Sequence, residues 1–389
     1  MHIVECGGMP EKSIVRRSWG FNALPISVLL VSALAAGALS MLPYALHTFS
    51  PDYRGLTVIR DKDYGNYLSR LQRALEGYPH EADNGITPIG SGIRGVQTAG
   101  LERIIGLLFG WTNVPAPKLA VPLTGLVMVF NIILVYIVFS SIGLRPWISI
   151  IATGAFVAVT FHGLGRVVHP GWSFLFMFGA LAAFFRLQRT PTVAGAVCTG
   201  LLLGLLPFLY FWSWTYAWVV IACAFVLNAF VHAKEAPLRK RWDIVLLCSG
   251  VTLLITLPFV LTTTEILNHP IYSQVSLRAS FLLQRTPESW PRSVLLITQC
   301  GLLLSLWKNE HRDFSYRAVV AFLLGAVVAL HQNVLHNQVL MFSSHYYPHL
   351  LLSTTAAAAW SLSRSVREWR HWMIGGVAAV FLLAGVADY

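Results

Sequence analysis

Two aspartates flank a lysine in "RDKDYGNYLSRLQRALEG", residues 60–77. Asp63 and Asp61 are the first candidates for chemistry, because a carboxylate at a water–lipid boundary can take a proton from a hydroxyl. The same pair could loosely hold a divalent cation, Mg²⁺ or Mn²⁺, which prefer oxygen ligands. It could also do no more than cap the helix that follows. A second concentration lies at "HQNVLHNQVLMFSSHYYPH", residues 331–349. There His331, His336, Asn337, Gln338, His345 and Tyr346 offer donors and acceptors around one chain reversal. Ionisable groups at membrane depth are costly and face internal cavities, so this density points to a site.

Three shorter stretches add to these. "HGLGRVVHPGW" supplies Arg166 and His169, "NGITPIGSGIRG" supplies Arg94, and "YFWSWTY" supplies Trp212 and Trp214. The guanidinium fork suits a phosphate, and the two indoles suit either a sugar face or an interfacial aromatic belt. A tight zinc site is not expected. His331 and His336 are five apart rather than four, and Pro348 interrupts the helix that would pair His345 with His349. No phosphate loop, dinucleotide-binding glycine pattern, G-x-S-x-G elbow or H-E-x-x-H is present.

These residues must be held by membrane helices. Of the 389 residues, 56% are hydrophobic and 12% charged, against about 25% charged in soluble domains. Apolar runs long enough to cross ~30 Å of hydrocarbon predict about eleven spans, at 24–46, 119–140, 147–165, 170–188, 193–210, 212–232, 243–262, 293–307, 317–335, 347–363 and 371–389. The break between the fifth and sixth is placed at Leu209–Trp214. The fold class is thus an all-α polytopic transmembrane bundle. Residues 1–23 form an N-terminal tail, and 24–389 form one transmembrane domain with a long first loop at 47–118. The last run reaches Tyr389 with no polar tail; either the chain stops flush with the membrane or it continues in a longer protein. The run after Arg16–Arg17 is longer than a signal-peptide core and reads as an uncleaved anchor.

The net charge of +11 does not call for nucleic acid. Sixteen Lys and Arg residues fall in the tail and short loops on one side of the proposed spans, the positive-inside pattern. This orientation puts the N-terminus in the cytoplasm and the 47–118 loop outside. Cys198, Cys223, Cys248 and Cys300 lie within spans and Cys6 in the tail, without metal-ligand spacing. Within the first loop, Leu68, Leu71 and Leu75 recur at helical spacing, Gly77-Tyr78-Pro79 stops the helix, and "VQTAGLERIIGLLFGW" is a second amphipathic piece. Both are expected on the outer membrane surface, apolar face down.

One span, a long external loop opening with acids on an interfacial helix, then many spans: this arrangement resembles the GT-C superfamily of membrane glycosyltransferases. "DKDYGNYLSRLQRALEGYP" is similar to its first-loop acidic motif, with Asp63, Tyr67, Leu68, Arg70 and Gly77 at matching positions. "VHPGWSFLF", "GLLLGLLPFLYFWSWTY" and "HNQVLMFSSHYYPH" look like later landmarks of a poorly characterised bacterial group. Two departures stand out: Lys62 splits the acid pair that is often adjacent there, and the 389 residues do not include the C-terminal extramembrane domain often found there. The resemblance implies transfer of a sugar from a polyprenyl-phosphate donor to a glycan, lipid or protein acceptor at the outer face of a bacterial cytoplasmic membrane. Asp63 or Asp61 would be the base. A transporter or lipid-sugar flippase, and a non-catalytic membrane subunit, are the alternatives.

Overall fold

A computed structural model describes residues 23–52, 64–77, 100–166, 170–229, 231, 241–268, 290–332, 343–364 and 369–387. Every regular element among them is helical. The helices are α1 (Ala23–Thr48), α2 (Tyr64–Leu75), α3 (Gly100–Phe109), α4 (Ala116–Ser141), α5 (Pro146–Leu164), α6 (Gly171–Arg189) and α7 (Val193–Leu205). After them come α8 (Phe211–Ala229), α9 (Trp242–Asn268), α10 (Trp290–Leu304), the short α11 (Trp307–Glu310), α12 (Phe314–Leu330), α13 (Tyr347–Ser363) and α14 (Trp369–Ala387). Each of the eleven expected spans overlaps one principal helix among the described residues. Six are long and apolar enough to cross a bilayer by length and composition alone. The chain is an all-α polytopic bundle, and its apolar helices make it an integral membrane protein.

Turn chemistry fixes the span ends. Gly143, at φ +93°, closes the α4–α5 connection in the left-handed region that a side chain resists, and Pro146 opens α5. The α7–α8 break falls earlier than expected. A 3-10 turn at Leu206–Phe208 contains Pro207, and α8 begins at Phe211. At 1.5 Å per residue α7 spans about 20 Å, well short of the ~30 Å hydrocarbon core. Gly200 and Gly204 let α9 lie close on α7: a Cβ at Gly200 would stand 2.7 Å from the Cys248 carbonyl.

The core runs through α6, α12 and α13, where Phe174, Phe178, Phe185, Phe322 and Trp360 are fully buried. Phe185 stacks on Phe322 at 5.3 Å. In contrast α9 is peripheral, with Leu246, Leu253, Leu254, Leu257 and Leu261 exposed to lipid. Arg317 lies buried in the first turn of α12. Its guanidinium donates to Asn228 Oδ1 (2.7 Å) and to the carbonyls of His311 (2.7 Å) and Arg312 (2.8 Å). Asn228 in turn donates to Gln188 Oε1 at 2.9 Å. This network ties α6, α8 and α12 at one end of the bundle.

At the opposite end α2 and α3 form a cap. Leu68, Leu71, Leu101 and Ile105 share an apolar cluster with Ala116, Leu119, Ala120 and Leu123 of α4 and with Leu209, bordered by Tyr44, Trp172 and Phe176. The amphipathic helices therefore bury their apolar faces largely in protein, while Leu107, Leu108 and Trp111 remain exposed. The two helices run parallel: Arg70 meets Glu102, and Ala74 and Leu75 face Gly106 and Gly110. Gln72 Oε1 accepts the N–H of Ala116 at 2.8 Å, satisfying a donor left over at the start of α4.

Gly106 sets the spacing of the cap. A Cβ there would stand 2.5 Å from the Ala74 carbonyl oxygen, so a side chain must push the helices apart. Gly106→Ala is expected to destabilise the protein by about 1–3 kcal/mol, read as a lower unfolding temperature in detergent.

Candidate functional site

Helix ends converge at the cap end of the bundle. The turn after α7 is closed by N–H groups of Leu209 and Tyr210 donating to the Leu206 carbonyl at 3.0 and 3.3 Å. It presents Tyr210 and then Trp212 on the first turn of α8. The turn before α13, a 3-10 segment at Ser343–Tyr346, brings His345 against them. His345 stacks on Trp212 with centroids 4.5 Å apart and rings 27° from parallel, and its Nδ1 is hydrogen-bonded to the Tyr210 hydroxyl.

Tyr346 extends the group. Its hydroxyl lies 2.8 Å from Thr215 Oγ1 and receives Gln332 Nε2–H at 2.9 Å. Beside Gln332, His331 Nδ1 lies 2.7 Å from the Val327 carbonyl and Nε2 lies 2.9 Å from Ser293 Oγ. A carbonyl can only accept, so Nδ1 carries a proton, and Nε2 shares a hydrogen bond with the Ser293 hydroxyl. On α10 the Arg292 guanidinium lies 3.6 Å from the centre of the Tyr347 ring. Beneath the group His349 is fully buried, ringed by Phe174, Tyr216 and Tyr346.

Arg166 occupies the turn between α5 and α6 and is half-buried. Asn131, itself fully buried, holds this turn by donating to the Leu164 carbonyl at 2.8 Å and the Gly171 carbonyl at 2.9 Å. Gly165 packs near Ser40 and Thr124. Thr124 and Asn131 stand about 12 and 22 Å along α4 from Ala116 at 1.5 Å per residue. The Arg166 turn is thus recessed below the end of α4 that joins the cap. Asn131→Leu leaves both carbonyls without their donor and is expected to cost about 1–3 kcal/mol, measurable by thermal unfolding.

Of the residues singled out in the sequence, Trp212, His345 and Tyr346 meet directly, and His331 adjoins them through its neighbour Gln332. Trp214 does not join. It faces Phe211, Trp218 and Phe259, toward α9. Asp61, Asp63, Arg94, His169, His336, Asn337 and Gln338 lie outside the described residues. Asp63 is nevertheless the residue immediately before Tyr64, where α2 begins. The N-terminal end of the cap is fixed against the α7–α8 turn: Gly100 abuts the Phe208 carbonyl too closely for any side chain, and Leu68 and Leu101 share the cluster of Leu209. Among the described residues no group of three His, Cys, Asp or Glu could hold a metal ion.

Sequence reasoning missed several partners. Tyr210, Thr215 and Ser293 lie far along the chain from His345, Tyr346 and His331, which they respectively meet, so spacing alone could not pair them. Arg70 and Glu102 form an ion pair at 2.9 Å, both buried. Burial holds the Glu102 carboxyl above its ordinary value of 4.5, with Arg70 partly opposing it. Here a signal existed: Glu102 sits between Leu101 and Ile105 on the apolar face of α3.

The sequence matches no protein-family model and no curated protein.

Proposed function

We propose that this protein is a membrane glycosyltransferase, which moves a sugar from a polyprenyl-phosphate donor to an acceptor hydroxyl at the cap end of the bundle. One observation carries the reading: the start of α3, the parallel partner of α2, abuts the turn that leads to Tyr210 and Trp212, and Leu68 of α2, the helix that follows Asp61 and Asp63 in sequence, shares the apolar cluster of Leu209. Asp63, seconded by Asp61, is the base that takes the acceptor's proton. Trp212 and His345 form an aromatic wall for the sugar, and Gln332, held by the buried Tyr346 hydroxyl, offers a polar contact beside it. The leaving lipid phosphate needs cationic donors fixed in advance; Arg166 in its recessed turn fits that role. The positive-inside charge pattern supports an outward-facing site on a cytoplasmic membrane.

The test uses the full chain in sealed vesicles with polyprenyl phosphates that carry radiolabelled sugars and with lipid, glycan and peptide acceptors. Label leaving the phosphate for an acceptor is the expected result. Donor that crosses the bilayer with its sugar bond intact would instead make the protein a transporter, and donor that neither crosses nor reacts would end the catalytic reading.

A further inference from the structure

We propose that His349 is a positioning residue of this site: a neutral imidazole, protonated at Nδ1, that fixes the turn bearing His345 and Tyr346. Its catalytic relevance rests on the glycosyltransferase reading; its bonding role does not. The His349 ring supplies a side-chain donor to the turn before α13, with Nδ1 3.1 Å from the His345 carbonyl oxygen. A carbonyl accepts only, so the proton is on Nδ1 and Nε2 is a bare lone pair.

That lone pair is buried and has no hydrogen-bond partner among the described residues. The nearest hydroxyls are committed elsewhere: Tyr216 bonds to Ser353 at 2.7 Å, and Tyr346 to Thr215 and Gln332. A phenylalanine would pack against Phe174, Tyr216 and Tyr346 equally well and would avoid an unsatisfied acceptor. The histidine is therefore explained by what its other nitrogen does. The carbonyl it holds belongs to the residue whose ring stacks on Trp212 and bonds to Tyr210. Loss of that single donor frees the backbone of His345 to rotate its ring off the indole.

Three measurements on the full chain test this. Nitrogen-15 spectra of labelled histidines should show His349 with an unprotonated Nε2 and a protonated Nδ1. In His349→Phe, carbethoxylation of His345 by diethyl pyrocarbonate, followed by mass spectrometry, should quicken roughly fivefold, as loss of one net hydrogen bond allows. His349→Asn, whose amide places an N–H near the Nδ1 position, should keep His345 protected and restore most of the transfer rate that the phenylalanine variant loses. A proton on Nε2, a phenylalanine variant with native His345 protection, or an asparagine variant no better than phenylalanine would each overturn the proposal. If the native chain transfers no sugar, the glycosyltransferase reading fails, while the spectra and the modification rates still decide the role of His349. If the phenylalanine variant does not fold, the native spectrum decides it alone.

Discussion

Asparagine at both Asp61 and Asp63 is expected to lower sugar transfer by about 10²–10⁴-fold, the usual contribution of a positioned general base. The amide keeps the shape and the polarity of the carboxyl but cannot take a proton from the acceptor hydroxyl. Trp212 and His345 hold each other and Tyr346 is held by Thr215 and Gln332, none of which involves the two acids, so donor binding should persist and the loss should fall on kcat rather than on KM for the donor. Asp63→Asn should account for more of it than Asp61→Asn, because Asp63 directly precedes α2, which the cap holds against α3 and α4. Initial rates over a range of donor concentrations separate the two effects. Full activity in both single variants would remove the acids from the mechanism.

Arg70→Met is expected to destabilise the protein by about 3–5 kcal/mol near pH 7.5, because it leaves the Glu102 carboxylate buried and uncompensated. Glu102→Gln should cost far less. Burial already opposes the charge on Glu102 more than Arg70 supports it, so a neutral amide suits the position. The sign with pH follows. A carboxyl whose folded pKa is raised keeps its proton longer in the folded chain than in the unfolded one. Its stabilising contribution is complete below the ordinary value of 4.5 and is lost as pH rises through the higher folded value. The penalty of Arg70→Met should therefore shrink toward acidic pH, and Glu102→Gln should flatten the pH dependence of the native chain. Unfolding temperatures of the three chains across pH 4–8 measure this on the order of the shifts that such free energies produce.

Span positions were legible because apolar run length is a direct physical requirement of the bilayer, and all eleven runs became helices. The α7–α8 break was placed some residues late because Pro207, not the polar residues beyond it, ends the helix. The site was half legible. His345 and Tyr346 share one turn and His345 stacks on Trp212, a pairing across distant segments, whereas Trp214 could have been set aside from sequence: two residues along a helix turn a side chain by about 200°, so Trp212 and Trp214 face opposite ways. The contacts of His345 with Tyr210 and of His331 with Ser293 join distant helices, and no local pattern encodes them. The parallel pairing of α2 with α3 was hidden for the same reason.

The shortness of α7 sets a relation between this protein and its lipids. Only about 20 Å of α-helix, continued by one 3-10 turn, precedes Tyr210, so hydrophobic mismatch bears on that edge. Thin membranes, or a local dimple around α7, bring Tyr210 and Trp212 level with the headgroups; long acyl chains bury that edge. The working range of the protein is thereby tied to membrane thickness, which any choice of reconstitution lipid has to respect.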